Sequence, residues 1–188
     1  MVYRRRLKEK KKNIAVPLFI IAIMVLSALG YALFQARGGN VKRFNSFKFI
    51  KIGDRWKTKI DNIEMMFYFA PDEVEDIPYD SISTFPYFVY LTSNPEASYS
   101  QQDLMTIEVA KFELKNILYS LGYTPSMNFS KTITCENSTS AMGVIDLDIS
   151  NETAINIEDS CVKITGINGP EIVRARDKFL MLLLGILK

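Results

Sequence analysis

Apolar residues fall along this chain in three rhythms, and each predicts an element. The first is an unbroken run: residues 14–34 (IAVPLFIIAIMVLSALGYALF) hold 21 positions without a charge. A helix of that length, rising ~1.5 Å per residue, spans the ~30 Å hydrocarbon layer of a bilayer, so the run predicts a transmembrane helix. Pro17 is compatible with it, because in the first helical turn its missing N–H has no partner to lose.

The second rhythm is alternation. In FKFIKIGDRWKTKI, Trp56, Thr58 and Ile60 alternate with Arg55, Lys57 and Lys59 around a Gly53-Asp54 turn, which predicts a β-hairpin. Further strands are predicted over 63–69, ended by Pro71, and over 87–92. After Pro125, strands are predicted over 132–135, 144–149, 154–158 and 161–165, with Ile145, Leu147 and Ile149 alternating with Asp146 and Asp148. The third rhythm has steps of three and four. Leu104, Ile107, Ala110, Leu114, Ile117, Leu118 and Leu121 predict a core-facing helix over 100–121, with Ser100 to Asp103 as a capping box and Gly122 as a left-handed C-terminal cap. A closing helix is predicted from Pro170 to the end of the chain.

The resulting fold class is α+β: a transmembrane helix, then one compact domain of antiparallel strands with two helices in the order β-β-β-β-α-β-β-β-β-α. The expected boundaries are a basic tail over 1–13, the membrane helix over 14–34, a Gly-containing linker over 35–43 and the folded domain over 44–188.

Charge adds an orientation. Seven of the 23 basic residues lie in the first 13 positions, against one of the 21 acidic residues, so the positive-inside rule places the N-terminus in the cytoplasm and the domain outside the cell membrane. The remainder of the chain is then weakly acidic, which excludes nucleic acid as a partner. The lipid bilayer and another envelope protein are the expected partners. A cleaved signal peptide ending near Ala28-Leu29-Gly30 and a pilin-like leader are the rival readings of the apolar run, and an anchor is preferred to both.

Candidate chemistry is sparse. Cys135 and Cys161 are the only cysteines, and outside the cytoplasm such a pair predicts a disulfide. Their spacing is neither a C-x-x-C redox motif nor a zinc pattern. The chain has no histidine, which removes Ser-His-Asp and Cys-His nucleophiles, His-ligated metals and the commonest general base. Acidic clusters occur at Asp72, Glu73, Glu75, Asp76 and Asp80, and at Asp146, Asp148, Glu158 and Asp159, but neither has EF-hand spacing, and solvated faces are the preferred reading. No catalytic, cofactor-binding or metal residue is assigned. Asn128, Asn137 and Asn151 each open an N-x-S/T sequon and are candidate glycosylation sites. The C-terminal FLMLLLGIL is apolar all round and is expected to be buried.

The basic leader and apolar helix, together with FNSFKF, WKTKI, FYFAPDEVEDI and the ending TITCENST…SCVKITG…RARDKFLMLLLGI, resemble a group of small membrane-anchored archaeal proteins. The resemblance implies a cell-envelope setting and surface glycosylation, and no catalytic residue. The leading expectation is a non-enzymatic binding or structural protein of the envelope. An accessory subunit of a larger assembly, such as a secretion, pilus or S-layer-associated system, is the alternative, and a carboxylate-dependent hydrolase is the third.

Overall fold

The computed structural model describes residues 18–27, 41–81, 85–94, 99–127 and 133–187. The chain divides into two units, 1–40 and 41–188. In the first, helix α1 covers residues 18–27 with its side chains exposed. Among the described residues no helix is long and apolar enough to cross a membrane. That finding corrects the expected transmembrane helix over 14–34, and with it the single-pass placement with a cytoplasmic N-terminus. The rest of the expected span lies outside the described residues.

The second unit opens with four strands: β1 (Val41–Phe44), β2 (Phe47–Ile52), β3 (Arg55–Ile60) and β4 (Ile63–Phe67). They form an antiparallel sheet in chain order. Strand β1 lies partly in the stretch read as linker; Asn45, at φ 51°, turns it back onto β2. Asp61 and Asn62 both take left-handed φ values, 46° and 69°, as a two-residue primed hairpin turn requires. The alternation in these strands sorts by face, with Phe49, Trp56, Met65 and Phe67 buried.

The remaining elements are β5 (Phe88–Thr92), α2 (Gln101–Ser120), β6 (Thr124–Met127), β7 (Met142–Ile149), β8 (Ala154–Glu158), β9 (Cys161–Gly166) and α3 (Gly169–Leu183). The five strands form a second sheet in the order β6-β5-β7-β9-β8. Here the expected antiparallel arrangement is corrected. Strand β5 pairs in parallel with β6 and β7, β7 pairs in parallel with β9, and only β8 and β9 are antiparallel. The cause is the crossover through α2, which returns the chain to the starting end of the sheet so that the next strand enters in the same direction. Alternation along a strand carries no information about its neighbour's direction.

The strand expected over 132–135 is also displaced. Residues 133 and 134 are not in a strand and Cys135–Asn137 is a 3-10 turn, while the strand after α2 is β6, which contains Pro125. An edge position tolerates a residue without an N–H, and β6 is the edge of its sheet.

The capping residues of α2 are those expected, but the box is not closed, since the Asp103 carboxylate accepts from the Ser100 hydroxyl and the Gly169 N–H. Ser100 Oγ accepts from the Asp103 N–H at 3.1 Å, and Gly122, at φ 90°, lets the Tyr123 N–H reach the Leu118 carbonyl at 3.0 Å. Helix α3 does not run to the chain end. It stops at Leu184, and the Ile186 N–H returns to the Met181 carbonyl at 2.8 Å, folding Ile186 and Leu187 into the core. One hydrophobic cluster joins the inner face of the first sheet, both helices and the second sheet. Two glycines permit the closest approaches: a Cβ on Gly166 would lie 2.4 Å from the Ile172 backbone nitrogen, and one on Gly169 2.8 Å from the Thr106 Cβ.

Candidate functional site

Helix α3 is buried on all sides at mid-length, from Ala175 to Met181, although this stretch includes the charged run Arg176-Asp177-Lys178. Each charge has a partner. Arg176 donates to Glu113 Oε2 at 2.6 Å and to Asp177 Oδ1 at 2.7 Å; Asp177 Oδ2 accepts from the Tyr68 and Phe69 N–H groups at 2.6 and 3.0 Å. Glu113 Oε1 accepts from Arg55 at 2.8 Å, and Arg55 also donates to the Tyr68 hydroxyl. Lys178 donates to the Glu75 and Ile77 carbonyls at 2.9 and 2.6 Å, while Arg174 holds the Glu73 carbonyl at 2.8 Å and the Asp76 carboxylate.

Burial pushes the Glu113 carboxyl up, but the hydrogen bonds and charges of Arg176 and Arg55 outweigh it and hold the group below the usual carboxylate range. Burial dominates at Asp177 and raises it against the pull of Arg176 and the two amides. Burial likewise lowers the Lys178 ammonium. The network contains two cations and two carboxylates around Arg176, so its charges cancel, and its donors already have acceptors. It fixes α2, α3 and the segment after β4 to one another. A groove of about 520 Å³ beside it is lined by Met105, Val109, Pro170 and Val173 and is mainly apolar.

The first acidic cluster has the same structural role. Asp72 and Glu73 pair with Lys42, Asp76 with Arg174, and Asp80 Oδ2 accepts the Ile157 N–H at 3.0 Å. In the second cluster, Asp146 and Asp148 lie on the same side of one strand rather than across a cleft. Asp148 accepts from the Tyr99 hydroxyl, whereas Asp146 Oδ1 is buried without a hydrogen-bond partner, and burial raises its carboxyl. Among the described residues no group of three His, Cys, Asp or Glu side chains is placed to hold a metal ion.

A second cavity lies at the amino ends of the parallel strands. The segments just before β5, β7 and β9 converge there on a cleft of about 830 Å³. Its volume is within the ~300–1,000 Å³ of small-ligand sites. One wall is aromatic: Phe85, Pro86, Tyr87 and Phe88. The rings continue inward as a stepped series, Tyr87 to Tyr123 at 6.0 Å, Tyr123 to Phe85 at 6.4 Å and Phe85 to Phe179 of the core at 6.3 Å. Phe85 fits against β7 because residue 143 is glycine; a Cβ there would come within 2.8 Å of its ring.

The other wall carries hydroxyls: Ser138, Thr139, Ser140 and Ser160, with Asp159 as the one carboxylate in the lining. Its shape is fixed covalently. Cys135 and Cys161 form the expected disulfide, with a Cα–Cα distance of 5.3 Å, and neither cysteine is free. The bridge ties the 3-10 turn at Cys135–Asn137, which leads into the hydroxyl segment, to the first residue of β9. Thr139 completes the turn by accepting the Met142 N–H on its hydroxyl oxygen at 3.1 Å.

No protein-family model, no curated protein and no solved structure matches the chain. The reading of the site therefore rests on its own chemistry. Of the residues singled out from the sequence, Cys135 and Cys161 come together beside the cleft. Asn137 is exposed on the same turn, Asn151 is exposed between β7 and β8, and Asn128 lies outside the described residues. Asp159 of the second acidic cluster lines the cleft as well; the meeting of the aromatic and hydroxyl segments was missed. Their only sequence signals are the FPYF and STS segments, which are distant in the chain and individually ordinary.

Proposed function

We propose that the domain is a non-enzymatic binding module whose cleft takes a neutral saccharide. The supporting observation is the pairing of walls: exposed Tyr87 and Phe88 on one side, and four small hydroxyl side chains with one carboxylate on the other. A pyranose ring has C–H faces that stack on aromatic rings and a rim of hydroxyls that both donate and accept, which is what Ser, Thr and Asp side chains offer in return. The described lining contains one carboxylate, Asp159, and one phenol, Tyr87, and no lysine or arginine, so it presents no cation to an anionic ligand.

The test is a titration with a panel of neutral oligosaccharides, followed by backbone amide NMR shifts. Saturable shifts at residues 85–88 and 138–141 are expected for at least one sugar. In Tyr87→Ala the affinity should fall roughly tenfold or more, equivalent to ~1.4 kcal/mol of stacking. Binding unchanged in that variant, or a panel that moves none of these amides, would overturn the proposal.

A further inference from the structure

Helix α2 is apolar on two opposite sides. Ile107, Ala110, Leu114 and Leu118 enter the core. At ~100° per residue, Met105, Val109, Phe112, Asn116 and Tyr119 project on the side facing away from it. Their steps of four, three, four and three residues are those of a coiled-coil seam. Four of the five are large and apolar, yet they stand in the open: Met105 is 70% exposed, Val109 52%, Phe112 57% and Tyr119 75%. The outer face of a surface helix is ordinarily polar, and a contiguous apolar stripe on it marks a contact.

We propose that this stripe is the interface between two copies of the chain, with their α2 helices antiparallel. Charge selects both the occupant and the direction. Glu108 and Lys115 flank the seam on one edge, where Lys111 of the same helix also holds Glu108 at 2.6 Å, and Glu113 flanks it on the other. Setting Val109 of one copy against Phe112 of the other brings Glu108 of each copy beside Lys115 of its mate, twice by symmetry. Glu113 is left to Arg55 and Arg176, which already hold it. A parallel pairing would instead bring Glu108 towards Glu113 on both sides of the dimer. Asn116, the polar seam position, faces Met105 near the end of the contact, where its amide keeps water, and a single polar residue in a seam sets register at some cost in stability.

The experiment measures the mass of the full chain by sedimentation and light scattering over a range of concentration, with circular dichroism to check the fold. The wild type is expected to dimerise, and Phe112→Asp, Glu108→Lys and Lys115→Glu are each expected to be monomeric with unchanged helix content. Combining Glu108→Lys with Lys115→Glu should restore the dimer. A wild type that stays monomeric would assign the stripe to a different protein and overturn the second copy as occupant. Dimers that survive Phe112→Asp would place the contact elsewhere in the chain. Single charge reversals without effect, or a double reversal that fails to restore association, would overturn the antiparallel pairing.

Discussion

At the residue scale the most consequential side chains are the ions of α3. Arg176 is almost wholly buried, with Glu113 and Asp177 as its acceptors. Removing one partner of such a pair leaves a buried charge alone, so Arg176→Met should cost ~3–5 kcal/mol in urea unfolding. Glu113→Gln should cost about 2 kcal/mol at neutral pH, the usual worth of hydrogen bonds to a charged group. Because the folded-state pKa of Glu113 is depressed, its contribution is complete above the unfolded value of about 4.3 and is lost as pH falls through the folded value. The stability gap between wild type and Glu113→Gln should therefore close as pH is lowered below about 4. A gap that widened on acidification would contradict the assignment. Gly166→Ala should destabilise by ~1–3 kcal/mol, since the added methyl meets backbone rather than a movable side chain. The burial of RARDK is tolerable only because the Glu113 carboxylate of α2 and the carbonyls and amides of the segment after β4 meet its charges.

At the scale of elements, the disulfide joins a turn to a strand and closes a separation of 26 residues. Replacing both cysteines by serine should cost ~3.5 kcal/mol on the chain-entropy account. Thiol labelling of the unreduced, denatured protein should find no free cysteine. The same double variant should weaken saccharide binding while leaving α2-mediated association intact, because the turn shapes the cleft and lies away from the seam. Hairpins, caps and the amphipathic rhythm of α2 were legible because their causes are local: a turn residue, a hydroxyl three residues from an amide, a repeat of three and four. Strand β6 was not, since Pro125 argues against a strand unless that strand lies at an edge, and edge position is a property of the sheet.

At the scale of the molecule, the contacts of residues 41–188 close on one hydrophobic cluster shared by two sheets and two helices. A chain beginning at Val41 should therefore unfold at the same urea concentration as the full protein, and a marked loss of stability would show that the first 40 residues support the core. The sequence by itself determined most of the strands, β6 and part of β1 excepted, the helices α2 and α3, that most of the C-terminal apolar run is buried, and the chemical types missing from the chain, above all histidine. These follow from periodicity, capping and composition, which act over a few residues. Only the tertiary structure decided that the second sheet is largely parallel, that Asp72, Glu73 and Asp76 are held by Lys42 and Arg174, and that aromatic and hydroxyl segments some 50 residues apart line one cleft. Among the described residues it shows no helix long and apolar enough to cross a membrane. Strand direction, pairing partners and enclosed volume depend on which distant segments meet, and hydrophobic rhythm along one segment is the same whichever partner it finds.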